Sequence, residues 1–462
     1  MKIYQTLLII AVYLFVHTKA VAQNNEQTYS LEKLKEDISY LKRQLQKNHP
    51  NLYLYTNSKR IDFVFDSLSN SITKPLTETE FYRHISILSS IIKDGHTIIL
   101  PGAKTIDYHN KNSLFCPYKL VVVDQKLYVE LVCTSDSSIH EGSEIISING
   151  IDAATLIREL SDRMVRDGFN ETYPLWIISN YFKGYYSFIF GHPSQFTIQY
   201  SINEHATTTI IQALSNDSIN YYRQRKYPDR TLKKIAGEGI KSFFAADNSY
   251  ACLTIKDFHK DVLKNQYQQN FRDEIKKFFT ALSEKKSKNL ILDLRDNQGG
   301  DLEYGVYLLS YLIQDDFIVV DKYFKVVDTE SGYKPELTNG EYTGPNKPKE
   351  ISFKQNLYVL ANGGSFSNSG IVASTLRRYG KGIFIGEETG GNNKVLAGDA
   401  KTITLPATGI IVEIPTKQFM LNETLPLTGH GTKPNYENKP LLNSILTGKD
   451  DAKDFTITLF RQ

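Results

Sequence analysis

The order of apolar segments after about residue 245 most constrains the fold of this chain of 462 residues, because strand and helix patterns alternate there. Within one helix pattern, Ile275, Phe278, Phe279 and Leu282 recur at the spacing of a single helix face. One strand pattern is a continuous apolar run, as expected when helices cover both faces of a sheet. The alternation predicts an α/β fold. The predicted strands are 250–255, 289–294 and 356–361, and the predicted helices are 271–283, 302–313 and 368–379.

Residues 28–100 have helix patterns without intervening strands, so we predict a helical N-terminal region. Apolar residues recur every three or four positions from Leu31 to Leu45, which is typical of one buried helix face. A second, shorter helix is expected near residues 60–70.

A third helix of this region is predicted from its start and stop signals. Thr77 followed by Glu80 has the form of a capping box, and apolar residues then continue at helical spacing to Ile92. Asp94-Gly95 ends the pattern, and we expect Gly95 to take the left-handed conformation just past the helix end.

Residues 112–215 have strand patterns. Residues 144–150 form a strand that runs into an Asn-Gly turn, and a helix pattern follows at 153–163. This order resembles the centre of a PDZ domain, a class that binds peptide ends by strand addition. The alternative is a small strand-and-helix module that only packs against the rest of the chain.

The sequence contains three cysteines, which excludes a fold built on disulfides. Two of them flank a predicted hairpin of residues 117–123 and 126–132. Counted from a two-residue turn, Cys116 faces Cys133 at a non-hydrogen-bonded position, where side chains lie closest. The pair is a hypothetical disulfide, and the alternative is two half-buried thiols.

The first 22 residues have the features of a cleavable signal peptide. Lys2 precedes an apolar stretch at 7–16, and Ala20-Val21-Ala22 supplies small residues for cleavage. A membrane anchor is the alternative, although the stretch is short for a bilayer span of roughly 20 residues. We therefore expect a periplasmic or secreted protein with no stable membrane anchor after cleavage. The net charge of +3 argues against a nucleic-acid partner.

Three short segments contain the side chains and backbone groups that could take part in catalysis. Residues 293–300 end a buried strand in a polar turn with Gly299-Gly300. Residues 357–370 form a strand, a tight turn and a helix start that carries Ser367, where free amides and the helix dipole would meet a developing oxyanion. The alternative is that Ser365 or Ser367 only caps the helix. The third segment, Asp94-Gly95-His96-Thr97, offers an imidazole that could serve as a base.

Residues 293–300, 365–391 and 429–435 resemble, in this order, the signature blocks of the C-terminal processing and tricorn-core serine peptidases. The resemblance covers about residues 77–440. It implies a Clp-protease/crotonase-like catalytic core at 245–445, a PDZ-like domain at 112–215, and a peptide or protein substrate. No metal ion or other cofactor is implied.

The resemblance also implies roles for individual residues. The tail-specific branch of the family uses a lysine after its Gly-Glu loop, but Lys394 comes slightly late for that place. The tricorn-like branch uses a histidine from an Asp-Gly-His-Thr segment, which this chain has. Ser367 is therefore the expected nucleophile and His96 the expected general base. The implied oxyanion hole is the amide of Asn368 with an amide from Gly299 or Gly300.

Some positions depart from the family pattern. Gly370 stands where a glutamate is common, and Thr428 stands where an acid would support the histidine. Glu423 and Glu387 are weak candidates for that orienting acid. Two further functions stay open: an inactive peptide- or ligand-binding protein on the same scaffold, and an interaction module dominated by residues 112–215.

Overall fold

The computed structural model describes residues 27–202, 205–230, 235–329, 332–338, 340 and 342–460. The predicted signal peptide, residues 1–22, lies outside these ranges. The helices are α1 (Leu31–Asn48), α2 (Ser58–Ser71), α3 (Glu78–Ile85), α4 (Leu88–Ile92), α5 (Ala103–Asn112), α6 (Ala153–Ser161), α7 (Thr172–Phe190), α8 (Asn216–Lys226), α9 (Lys260–Asn265), α10 (Phe271–Lys285), α11 (Leu302–Leu309), α12 (Asn368–Arg378), α13 (Leu442–Thr447) and α14 (Asp451–Leu459). The strands are β1 (Thr28–Tyr29), β2 (Leu76–Thr77), β3 (Ile98–Leu100), β4 (Tyr118–Val123), β5 (Lys126–Val132), β6 (Glu144–Ile148), β7 (Ile151–Asp152), β8 (Gln195–Ile202), β9 (His205–Gln212), β10 (Ile240–Phe244), β11 (Tyr250–Ile255), β12 (Asn289–Asp293), β13 (Lys322–Thr329), β14 (Gly332–Thr338), β15 (Asn356–Ala361), β16 (Ile383–Gly386), β17 (Val395–Thr404), β18 (Ile411–Met420) and β19 (Tyr436–Glu437).

A largely parallel sheet forms the centre of the C-terminal half. Its order is β10-β11-β12-β15-β16-β19, and only β10 runs antiparallel to its neighbour. Leu292 and Val359 face one hydrophobic cluster with helices α10, α11 and α12, whereas Ile291 and Leu360 face another with α14. Helices thus cover both faces, which explains the continuous apolar strands. The predicted α/β fold is confirmed.

A second sheet has the order β14-β13-β18-β17, and β3 pairs with β18 beside this path. The pairing is antiparallel, with Ile98 opposite Glu413 and Leu100 opposite Ile411. Because β3 begins two residues after His96, this pairing attaches the histidine segment of the N-terminal region to the C-terminal half.

Residues 118–212 form a third sheet in the order β4-β5-β6-β8-β9, with β7 paired to β6. The strand at 144–148, its turn and helix α6 lie where the sequence predicts them. The PDZ-like character of this region stays a prediction, as do the domain limits 28–100, 112–215 and 245–445. The aromatic segment after α6 forms the long helix α7.

The third N-terminal helix differs from its prediction. The capping box is confirmed, since Glu80 N–H donates to Thr77 Oγ1 and Thr77 N–H donates to Glu80 Oε2. The helix is nevertheless divided into α3 and α4, and the left-handed residue after α4 is Lys93 (φ 61°). The prediction for Gly95 is wrong. Gly95 is required for close packing instead, because a Cβ there would lie 2.7 Å from the ring of Phe366.

The hypothesis of a disulfide between Cys116 and Cys133 is wrong, since both thiols are free. The hairpin has the predicted turn, but its register shifts by one residue at Lys119/Leu120. Cys133 N–H therefore donates to Pro117 O, and the two thiols belong to different hydrophobic clusters. A shift of one residue moves a side chain to the opposite face of a sheet, so Cys133 lies opposite Pro117 and not opposite Cys116.

Helix α1 is fixed to the C-terminal half by a buried carboxylate. Asp37 accepts hydrogen bonds from the N–H groups of Ala407 and Thr408, both at 2.9 Å, in the turn between β17 and β18. Among the helices of the described residues, none is both apolar and long enough to cross a bilayer.

Candidate active site

Ser367 stands at a sharp turn between strand β15 and helix α12. Its backbone has φ 51° and ψ −120°, a conformation that costs a residue other than glycine roughly 1–3 kcal/mol. Among the described residues, no side-chain hydrogen bond caps α12 at this serine. Ser365, by contrast, is buried and donates to Leu294 O. The structure therefore gives Ser365 a turn-stabilising role and leaves the Ser367 hydroxyl exposed to the cleft.

His96 approaches this serine from the N-terminal half. Its Nε2 lies 3.1 Å from Ser367 Oγ, although 271 positions separate the two residues. Asp94 shapes the turn after α4, because its Oδ1 accepts hydrogen bonds from His96 N–H and from Thr97 Oγ1. Strand β3 then continues directly into the sheet of the C-terminal half.

A buried histidine, His49, forms a hydrogen bond to this turn. His49 Nδ1 accepts a hydrogen bond from Asn51 N–H, so the proton of the neutral ring is assigned to Nε2, which donates to Thr97 Oγ1. Burial lowers the pKa of His49 and keeps the ring neutral. Thr97 Oγ1 accepts from His49 and donates to Asp94 Oδ1, so the direction of each hydrogen bond in the turn around His96 is determined.

The imidazole of His96 is held by stacking rather than by a carboxylate. Its buried Nδ1 has no hydrogen-bond partner among the described residues. The ring stacks on Phe366 at 4.7 Å between centroids, and Phe366 stacks on Tyr173 of α7 at 4.3 Å. Loss of hydration lowers the pKa of His96, and the nearby Asp94 partly opposes that shift. The neutral ring, which can accept a proton, is therefore favoured near neutral pH.

Backbone amides beside Ser367 form a candidate oxyanion site. Gly299 approaches so closely that a Cβ there would lie 2.7 Å from Ser367 Cβ and from Asn368 N. Gly299 N–H donates to Asn297 Oδ1. No hydrogen bond to an acceptor in the described residues occupies the amides of Gly300 or Asn368. Of the two predicted glycines, Gly300 is thus the one with an uncommitted donor.

The predicted orienting acids lie elsewhere. Glu423 forms an ion pair with Lys322. Glu387 lines the cleft, where burial and the charges of Asp296 and Glu437 raise its pKa against the opposing effect of Lys439. Neither forms a hydrogen bond to His96 within the described residues.

Lys394 is directed away from the serine. Its Nζ donates to the carbonyl oxygens of Glu423 and Leu425. The ammonium group is therefore committed to the loop after β18, and the serine–lysine arrangement of the tail-specific branch is not formed here.

A cleft of about 1580 Å³ opens in front of the Ser367–His96 pair. Its walls come from two parts of the chain: β4 and α7 on one side, and the carboxyl ends of the parallel strands on the other. Trp176 of α7 joins the walls, because its Nε1–H donates to Asp296 Oδ1 at 2.7 Å. The cleft is large enough for an extended peptide. In the described residues, no group of three or more metal-ligating side chains was found.

Several residues of the site were not anticipated from the sequence. Asp167 and Tyr173 lie in the segment around the start of α7, and Phe366 lies beside the serine. Phe366 could have been noticed from its position in the nucleophile segment. Nothing local marks Asp167 or Tyr173, because their importance depends on how α7 docks.

The chain resembles known proteins over part of its length. Residues 249–438 match peptidase family S41. A probable CtpA-like serine protease of Staphylococcus epidermidis is 25% identical over 171 residues, which are 37% of this chain and 32% of the relative. The tail-specific protease of Haemophilus influenzae is 30% identical over 123 residues, 27% of this chain and 16% of the relative. The matched segment thus spans about a third or less of these two relatives.

Solved structures resemble a larger part of the chain. Mature CPAF matches with a TM-score of 0.64 and 13% identity, over 93% of this chain and 96% of the other. Mature CPAF complexed with lactacystin matches with a TM-score of 0.65 and 14% identity, over 93% and 98%. At this identity the likeness concerns the fold, which extends beyond the family match to the N-terminal half.

Proposed function

We propose that this chain, whose residues 249–438 match peptidase family S41, is an exported serine peptidase with Ser367 as nucleophile and His96 as general base. The observation that supports this most strongly is the 3.1 Å approach of His96 Nε2 to Ser367 Oγ. The strained turn at Ser367 and the two uncommitted amides beside it provide the other parts that acyl transfer needs.

The reaction follows from this geometry. His96 Nε2 takes the proton of Ser367 as Oγ attacks the carbonyl carbon of the scissile peptide bond. The amides of Asn368 and Gly300 donate to the oxyanion of the tetrahedral intermediate. The imidazolium then protonates the leaving amine, and the acyl group stays on Ser367 until water, deprotonated by His96, releases it. The base supplies about 10²- to 10⁴-fold and one oxyanion donor about 10²- to 10³-fold in rate.

Export to the periplasm or the exterior is part of the proposal. It is supported by the positive, apolar and small-residue order of the first 22 residues. A substrate of peptide or protein nature is supported by the family and by a cleft that could take an extended chain.

The test compares Ser367→Ala with Ser374→Ala, a matched variant in the same helix whose hydroxyl donates to Ile371 O. A serine-directed fluorophosphonate should label the wild type and Ser374→Ala, and Ser367→Ala should not react. Hydrolysis of a peptide library should follow the same order while all three proteins stay folded. Turnover by Ser367→Ala at the wild-type rate would refute the assignment. A folded wild type that neither reacts nor hydrolyses would favour the inactive binding protein.

A further inference from the structure

We propose that Asp167 is the positioning carboxylate of this site, which holds the loop of His96 against the loop that supports Ser367. The inference deepens the proposed function and rests on it. It assigns to a residue between α6 and α7 the ordering task that the sequence suggested for Glu387 or Glu423.

Asp167 connects two loops that are distant in the sequence. Its side chain is buried, and its Oδ1 accepts a hydrogen bond from Gly95 N–H at 2.8 Å. Its Oδ2 accepts from Asn392 N–H at 3.2 Å. One carboxylate therefore bonds the residue next to the base and, with its second oxygen, the glycine-rich loop after β16.

The second of these loops touches the nucleophile turn. A Cβ on Gly391 would lie 3.3 Å from Ser367 N, and a Cβ on Gly370 would lie 3.2 Å from Gly391 Cα. The loop of Asn392 thus packs directly on the start of α12. Asp167 consequently fixes the base relative to the nucleophile: it bonds Gly95 N–H next to His96, and it bonds Asn392 N–H in the loop that packs on Ser367.

The backbone around Asp167 strengthens the same connection. Gly168 N–H donates to Lys93 O at 2.9 Å, and Phe169 N–H donates to Gly429 O at 2.8 Å. Gly168 has φ 61°, and a Cβ there would collide with Gly429. The segment 167–169 therefore contacts three catalytic loops at once, and the close approach requires glycine at this position.

Other acids near the site do not make this link. Asp94 Oδ1 accepts hydrogen bonds from His96 N–H and Thr97 Oγ1 and lies 3.8 Å from His49 Nε2, so it shapes its turn without attaching it to the serine loop. Glu388 accepts hydrogen bonds from Gly431 N–H and Asn170 Nδ2, and none of its hydrogen bonds within the described residues reaches the segment of His96.

The charge of Asp167 makes the link sensitive to pH. Burial and the neighbouring Asp94 raise the pKa of Asp167 to about 7, against the opposing effect of the two amide hydrogen bonds. Tyr55 and Tyr173 also face this carboxyl group, and its charge contributes to their raised pKa values. The anion accepts both amides, whereas protonation turns one oxygen into a poorer acceptor. Activity should therefore fall as the pH drops below about 7, which gives the pH profile an acid limb.

The experiment uses the full-length protein with Asp167→Asn and, as matched control, Asp37→Asn, which alters another buried carboxylate that accepts two backbone amides. We expect Asp167→Asn to lower kcat by on the order of 10²-fold with little change in KM, since displacing a catalytic group by about 1 Å has this effect. Its acid limb near pH 7 should disappear. Asp37→Asn should lower thermal stability and keep the kcat and pH profile of the wild type.

Hydrogen exchange gives a readout that does not depend on turnover. Asp167→Asn should speed exchange in peptides containing Gly95 and Asn392, and Asp37→Asn should do so at 407–408. The proposal is overturned if Asp167→Asn keeps wild-type kcat and pH limb, or if Asp37→Asn loses activity equally. Failure of the proposed function looks different, because the wild type itself would then fail to react with the fluorophosphonate.

Discussion

At the scale of single residues, the proposed site combines a strained nucleophile, Ser367, with a base, His96, whose Nδ1 has no hydrogen-bond partner among the described residues. The stacking of His96 on Phe366 fixes the plane of the imidazole. The hydrogen bond from His96 N–H to Asp94 fixes the position of its backbone. A carboxylate bonded to Nδ1 would raise the pKa of the ring, whereas burial here lowers it. The base is thus kept neutral and available at the expense of stabilising its protonated form.

The lowered pKa of His96 predicts the pH dependence of catalysis. A base with a pKa below its usual 6.5 is neutral above that pH and is protonated only in more acidic solution. We expect kcat/KM of the Asp167→Asn variant to stay level from pH 8 down to about 6.5 and to fall with unit slope below the pKa of His96. A profile that is flat down to pH 5 would require another base.

At the scale of elements, helix α11 approaches the start of α12 at a glycine. A Cβ on Gly305 would collide with Asn368 Oδ1, while Asn368 Nδ2 donates to Asp301 O. The side chain of Asn368 is therefore confined between α11 and its own helix. This confinement orients the backbone N–H of Asn368, which we assign to the oxyanion site.

Gly305→Ala should displace Asn368 and lower kcat by about 10²- to 10³-fold, the range for losing one oxyanion donor. Gly184→Ala is the matched control, because Gly184 also lies within a helix and a Cβ there would meet nothing within 4 Å. The control should keep wild-type kinetics and gain up to about 1 kcal/mol in free energy of unfolding. Equal kinetics for both variants would show that Asn368 is not confined as described.

The sequence predicted elements whose signals are local. The parallel strands, the turn at Ser367 and the capping box at Thr77 each depend on neighbouring residues, and each was found. The pairing of β3 with β18, the register shift at Lys119/Leu120 and the docking of Asp167 depend on partners far away in the chain. Periodicity does not record such contacts. Glu387 and Glu423, predicted as orienting acids, form no hydrogen bond to His96 in the described residues, whereas Ser367 and His96 lie 3.1 Å apart.

At the scale of the whole molecule, the two walls of the cleft share a hydrophobic core. One cluster joins the N-terminal helices, the sheet of residues 118–212, and Phe366, Val412 and Ile414 of the C-terminal half. The proposed catalytic groups, His96 and Ser367, come from both sides of this cluster. The proposed active site therefore requires both halves of the chain docked together, and the predicted core at 245–445 alone would lack His96.

A shared core predicts that both halves unfold together. Trp176 is the only tryptophan of the sequence, and it donates across the cleft to Asp296, so its fluorescence reports docking. In urea, we expect its transition to coincide with the loss of secondary structure measured by far-ultraviolet circular dichroism. A fluorescence change at clearly lower urea concentration would show that the halves separate before they unfold.

The separation of 271 positions between the proposed base and the proposed nucleophile also determines when the site can form. A growing chain presents its imidazole early, but the hydroxyl follows much later, and the sheet around it closes only when β19 is added. Until then the proposed peptidase site is incomplete. The order of the segments along the chain thus delays the proposed activity until synthesis is nearly finished.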